Sequence, residues 1–357
     1  MREERRTGSR VEAIDCAKGL GILLVVFGHV WRGLHSAHLW IDPRLYSRVD
    51  GWVYSFHMPL FFFISGLFIA RSASKPAGRF LSDKLATIAW PYVVWSIAQA
   101  LAQFAAGGAT NNSGITLREL PRAIAIDPYA QFWFLYVLIL CELVYLILHK
   151  LRVPAVATLL GSIVLYACSR TVGLGRWGVA YQFASSFPCF ALGAVGAGFV
   201  LRRMLNWRWI ALVGISLASA VALTLIVRSR PHIREAVWSG PGVACIGIAM
   251  TITLAMVLAR LRTPALALLG RCTLEIYVAH IIAASGARIV LQKFFHVHSL
   301  TPHIIAGMLA GTVGPLVLAW MVWKFNIPGV FVGPWKSRRP LSAPQRDPAH
   351  VAEPALA

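Results

Sequence analysis

Residues 10–31 read RVEAIDCAKGLGILLVVFGHVW. This stretch decides the fold. From Gly19 onward it is apolar except for one histidine, and it is long enough to cross the roughly 30 Å hydrocarbon core of a bilayer as a helix. It is not a cleaved signal peptide: it contains Asp15 and Lys18, it is too long, and no small-residue cleavage site follows. At about 100° per residue, Lys18 and His29 lie within about 20° of each other and Asp15 about 40–60° away, so the three share one helix face. Asp15 and Lys18 sit near one end, and His29 sits about 16 Å further along the axis. Ionisable groups inside a span are costly to bury, which makes each a functional candidate.

The rest of the 357 residues repeats the apolar pattern. Hydrophobic residues make up 57% of the chain and charged residues 13%, well below the roughly 25% charged residues of soluble domains. The mean hydropathy is +0.65. Ten spans are expected, at roughly 12–31, 52–70, 85–106, 131–149, 153–170, 181–201, 208–227, 239–260, 270–291 and 303–324. Together they predict an all-α, polytopic integral membrane protein with one membrane domain over residues 1–336. The polar, Pro/Ala-rich stretch 337–357 reads as a disordered cytoplasmic tail. Pro91 and Pro188 are positioned to kink the third and sixth spans.

The formal net charge is +20. The basic residues lie between the apolar runs rather than in one patch, which suits anionic headgroups and excludes nucleic acid as the partner. With the N-terminus inside, inner segments hold twenty Lys/Arg against eleven in outer loops, giving N-in, C-in topology. The six cysteines form no close pair of the metal-binding or redox kind, and no metal site is expected. There is no Walker motif, no dinucleotide-binding glycine pattern, no zincin motif and no nucleophile elbow.

Other polar positions stand out within or beside spans. His57 and Pro59 open the second span, where His57 reads either as a substrate contact or as an interfacial histidine. In the ninth span Arg271 and Glu275 are four apart and able to pair, and Glu275 and His280 lie about 7–8 Å apart along the axis. Trp133 opens the fourth span, where an aromatic belt also accounts for it. Asp15 and Lys18 read equally as a local pair at the interface, and His29 as a helix-packing hydrogen bond.

The motifs together resemble a known family. R-x-x-x-I-D-x-x-K-G-x-x-I-x-x-V-V-x-G-H, from Arg10 to His29, resembles the opening of the membrane acyltransferase-3 superfamily. F-H-M-P-L-F-F-F-I-S-G, from Phe56 to Gly66, is similar to its branch of fucose 4-O-acetylases and exopolysaccharide acetyltransferases. Trp133-Phe134-Leu135 matches a W-F-L at the head of a middle helix. Leu269-Gly270-Arg271, Leu274 to Tyr277 and His280 match L-G-x-x-S-L-x-I-Y-x-x-H, with Thr273 at the serine. The resemblance covers roughly residues 10–325.

It implies a bacterial inner-membrane O-acetyltransferase. The donor would be acetyl-CoA, and the acceptor a glycan such as a fucosyl residue, an exopolysaccharide unit or a nodulation-type lipo-oligosaccharide. His29 would be the catalytic base or acyl carrier, with Asp15 and Lys18 orienting the site and Glu275 and His280 in support. Arg71, Arg79 and Lys84 would meet the phosphates of the donor, although as basic residues of an inner loop they read equally as a solvated face. His57 and Trp133 would contact the acceptor. The family's Arg-rich stretch before the third-span proline is altered, with Thr87 where a second arginine is expected. A transporter or flippase of a polar lipid or sugar is the alternative, but the paired repeats such proteins often carry are missing.

Overall fold

The computed structural model describes residues 2–107, 116, 118–171, 178–229 and 240–336, the side chains of residues 2–11, 203 and 205 aside. The predicted tail 337–357, and Arg176, Arg230 and Arg234, lie outside the described residues.

Apolar runs broken by Gly, Pro and charge become helices joined by short turns. They are α1 (Arg2–Ser36), α2 (Pro43–Tyr54), α3 (His57–Ala73), α4 (Ala77–Lys84), α5 (Trp90–Ala106), α6 (Leu120–Ala125), α7 (Trp133–Lys150) and α8 (Ala155–Thr171). Then come α9 (Val179–Gly198), α10 (Trp209–Ser229), α11 (Gly240–Arg260), α12 (Pro264–Arg271), α13 (Thr273–Lys293) and α14 (Leu300–Lys324). Among the described residues, nine helical segments are long and apolar enough to cross a membrane. The fifth expected span is shorter than the rest: α8 has 17 residues, about 25 Å of helix. The chain is a multi-pass, all-α membrane protein.

Helix–helix contact in an apolar solvent depends on close backbone approach. Two reciprocal glycine contacts supply it. A Cβ on Gly66 of α3 would collide with the carbonyl of Phe190 on α9, and one on Gly193 of α9 with the carbonyl of Phe63 on α3. Likewise Gly19 of α1 faces the Leu266 carbonyl of α12, and Gly270 of α12 faces the Asp15 carbonyl of α1. The second contact seats the polar end of α1 directly against the short helix that precedes α13.

The expected third span begins earlier than predicted and is not a plain helix. α4 runs into one π-helical turn, Leu85–Ala89, and then into α5, whose second residue is Pro91. Proline has no N–H, and its ring crowds the carbonyl four residues earlier, so the wider turn just upstream relieves the clash. The Ala86 carbonyl accepts instead from the backbone N–H of Gly333, at 2.8 Å. That donor belongs to an irregular strap that follows α14. Positive φ at Asn326 and Gly329 helps turn the chain back, and the strap lies along α5. The indole N–H of Trp90 donates to the Gly329 carbonyl at 2.7 Å, and that of Trp95 to the Val330 carbonyl at 2.8 Å. Phe331 stacks on Trp95, and Lys336 pairs with Asp83 of α4 at 2.7 Å. Non-helical backbone among membrane helices is tolerated only with its polar groups partnered, and these indoles and this carbonyl provide partners.

Candidate active site

The polar face of α1 meets α13 at two levels. At the end nearest residue 12, Lys18 pairs with Asp15 at 2.9 Å, and Asp15 is only 2% exposed. The charge of Lys18 also acts on Glu275 of α13. Arg271, expected to pair with Glu275, does not fill that role: its buried Nε has no hydrogen-bond partner among the described residues, and Lys18 is the cation acting on Glu275.

The second level lies in the far half of α1. His29 is half-buried, and its ring lies 5.0 Å from that of His280 on α13 and 6.3 Å from that of Tyr54 on α2. His280 is fully buried. Its Nδ1 lies 2.7 Å from the Tyr277 carbonyl and 3.1 Å from the Ile276 carbonyl. A carbonyl only accepts, so Nδ1 carries the hydrogen and, in the neutral ring, Nε2 is left as an acceptor. That Nε2 is buried without a hydrogen-bond partner among the described residues. His57, at the start of α3, is fully buried too, and its Nδ1 donates to the Val53 carbonyl at 2.6 Å by the same logic.

An ion pair braces the group from the α1–α2 junction. Arg32 holds Asp50 through two bonds, 2.5 and 3.0 Å long, and its guanidinium carbon lies 3.2 Å above the centre of the Tyr54 ring. Tyr54 in turn meets His57 edge-on, with ring centres 4.6 Å apart. His280, His57 and Arg32 are the electrostatic neighbours of His29. The centre therefore holds the His29 imidazole near two others whose tautomers are fixed by backbone, with a guanidinium stacked on Tyr54. No carboxylate among the described residues acts on His29, so a Ser–His–Asp type of relay is not what this geometry builds.

The other expected site residues fall into place as follows. Glu275 and His280, read as one pair along α13, are divided between the two levels. Half-buried Trp133 packs with Phe62 and Phe134, and Phe134 meets Tyr277, the residue whose carbonyl holds His280. Arg71 and Arg79 are exposed at the end shared with Lys18. Lys84, expected to meet donor phosphates, instead pairs at 2.6 Å with Glu142, a buried carboxylate of α7. A buried acid needs a cation, and Lys84 is the one within reach. Sequence reading missed Tyr54, the Arg32–Asp50 pair and Glu142. The only signal for them was acidic residues placed inside or beside apolar runs.

The family profile described as "Acyltransferase domain", acyltransferase-3, matches residues 11–322. This chain belongs to the acyltransferase-3 family. It is a multi-pass membrane member of that family, and both polar levels lie inside the matched region. A second similarity is to the nodulation protein NolL of Mesorhizobium japonicum, 30% identical over 106 residues. That match takes in 27% of this family member and 26% of NolL, so it spans about a quarter of the curated relative's length. No solved structure matches the chain. An acyl transferase, rather than a transporter, is the class these matches support.

Proposed function

We propose that this acyltransferase sits in the inner membrane of a bacterium and moves an acetyl group from acetyl-CoA to a hydroxyl of a glycan. The observation that carries the reading is the His29 ring 5.0 Å from that of the tautomer-locked His280, with His57, locked in the same way, as a further electrostatic neighbour. Both termini of the membrane domain face the cytoplasm in this reading. The polyanionic donor approaches the end where Arg71 and Arg79 are exposed, and its phosphates meet their guanidinium groups. Lys84 is held by Glu142 and shapes that end instead of binding phosphate. The thioester arm reaches inward along the polar face of α1, past Lys18 and Asp15, toward His29.

There His29 acts as general base. Its free nitrogen takes the proton of the acceptor hydroxyl while that oxygen attacks the thioester carbonyl. The tetrahedral intermediate collapses, the C–S bond breaks, and the CoA sulfur leaves with the proton returned from His29. An N–H of the imidazole aimed at the Nε2 acceptor of His280 would fix which nitrogen is free. His57 and Trp133 border the acceptor side. The similarity to NolL favours a lipo-oligosaccharide or related surface glycan as acceptor, with a fucosyl residue as the sugar.

The test is mass spectrometry of surface and secreted glycans from a deletion strain carrying wild-type protein, His29→Ala or no insert. Wild type is expected to restore one acetyl mass per modified sugar, and His29→Ala to restore none at equal membrane abundance. Full restoration by His29→Ala overturns the role of His29. No difference between wild type and no insert overturns the glycan as acceptor.

A further inference from the structure

Beyond the histidines lies a group of buried polar side chains that carry no charge. Ser96, Gln99 and Gln103 occupy one face of α5, three and then four residues apart. Gln99, the middle one, meets Gln131 and Tyr129, just before α7. Ser96, Gln99 and Gln131 are 0%, 1% and 3% exposed. Gln99 and Gln131 hold each other through reciprocal amide bonds of 3.1 and 2.5 Å. Such a clasp leaves each amide with a second N–H and further acceptor capacity.

The neighbouring groups are less satisfied. Ser96 Oγ, Gln103 Oε1 and the Tyr129 hydroxyl are all buried without a hydrogen-bond partner among the described residues. The side chain acting on the Tyr129 hydroxyl is Gln99. Between Tyr129 and Gln131, Ala130 has φ +48°, a left-handed conformation unfavourable for a residue with a Cβ. An apolar chain folding for packing alone would avoid three orphaned polar atoms beside a strained residue. The group is also wired to the histidine centre. The Tyr277 hydroxyl donates to the Gln131 backbone carbonyl, and the Tyr277 carbonyl accepts from His280.

We infer that Ser96, Gln99, Gln103, Tyr129 and Gln131 form the subsite that receives the hydroxyl groups of a neutral sugar acceptor. The inference rests on the glycan reading above and supplies the place where the glycan sits. Amides, a serine and a phenol offer both donors and acceptors, which is what a polyhydroxyl ligand requires. None of the five carries a charge, so the site does not suit a phosphate or a carboxylate. Gln99 and Gln131 pair with each other when the sugar is absent and turn their spare N–H and carbonyl capacity to it when bound.

The decisive variants, taken singly and together, remove two hydroxyls that have no hydrogen-bond partner among the described residues. Ser96→Ala deletes no hydrogen bond among the described residues, and Tyr129→Phe gives up only the approach of its hydroxyl to the Gln99 amide, so a purely structural role predicts little or no loss of activity. Three readouts are taken on the full chain: glycan acetylation in the complemented deletion strain, acetyl-CoA binding by detergent-purified protein, and Tm. The double variant is expected to lower acetylation about tenfold, the effect of a lost acceptor bond or two. Its acetyl-CoA binding should stay within about twofold of wild type and its Tm should hold or rise. Unchanged acetylation overturns the subsite, as does a parallel loss of acetyl-CoA binding, which would place these groups on the donor side. A wild-type protein that restores no glycan acetylation overturns the glycan reading itself, so the two failures are told apart.

Discussion

The two polar levels on the α1–α13 seam solve the same problem differently. Near residue 12 the groups are formally charged and paired: Asp15 with Lys18, and Glu275 within the field of Lys18. In the far half the central groups are imidazoles, each of the two buried ones tied to a carbonyl of its own helix turn or of the turn just before, and charge is confined to the Arg32–Asp50 pair that braces them. Moving an ion from water to an apolar interior is expensive, so charges gather toward a helix end and in pairs. Histidine can be buried neutral and still exchange a proton near physiological pH. A bundle that must run proton chemistry at depth therefore uses charge to hold its helices together at the edge and neutral rings for the reaction.

The contrast can be broken experimentally, and the largest effect is expected at His29. His29→Ala should lower acetyl transfer by about 10² to 10⁴-fold, the usual range for a general base, at unchanged abundance in membranes. A loss under tenfold would put the base elsewhere. Next comes His280→Phe, which keeps ring volume but removes the Nε2 acceptor. It should slow transfer about 10–100-fold while leaving acetyl-CoA binding intact, as losses of orienting partners do. Equal losses in binding and rate would make His280 a packing residue only.

At the charged level the readout changes from rate to stability. Lys18→Ala leaves the buried Asp15 carboxylate unpaired and should destabilise the protein by about 3 kcal/mol in detergent unfolding. The double variant Asp15→Asn with Lys18→Met should recover most of that. If it does not, the pair is more than a structural brace, and the division between the two levels weakens. The smallest effect belongs to Lys336→Ala. Its partner Asp83 keeps Lys75, and both ends are partly exposed, so the change should be within about 1 kcal/mol.

How much of this was legible in the sequence follows the range of each interaction. The spans were readable because hydropathy is a local property, and α8 fell short only by its 17-residue length. The shared face of Asp15, Lys18 and His29 was readable because helical periodicity is local too. It is the face that meets α13. The partners were not readable. Glu275 and His280 look like neighbours along one helix, yet α1 lies across them so that each meets a different level. Lys84 and Glu142 are 58 residues apart, and Gln99 and Gln131 are 32 apart. Nothing in a single sequence links such positions. The kink at Pro91 was readable, but nothing in the sequence pointed to the strap that accepts the indole N–H groups of Trp90 and Trp95.

That strap has a consequence for biosynthesis. Trp90 is translated 239 residues before the Gly329 carbonyl that its indole binds. During that interval α5 stands in or against the bilayer with two indole donors and the Ala86 carbonyl still unmatched. The π turn beside Pro91 is then an unfinished joint that closes only after α14 has been made and inserted. A chain halted before residue 326 would keep its histidine centre in sequence yet show the cell an open seam along α5, the kind of exposed polar backbone that membrane quality-control proteases are suited to find.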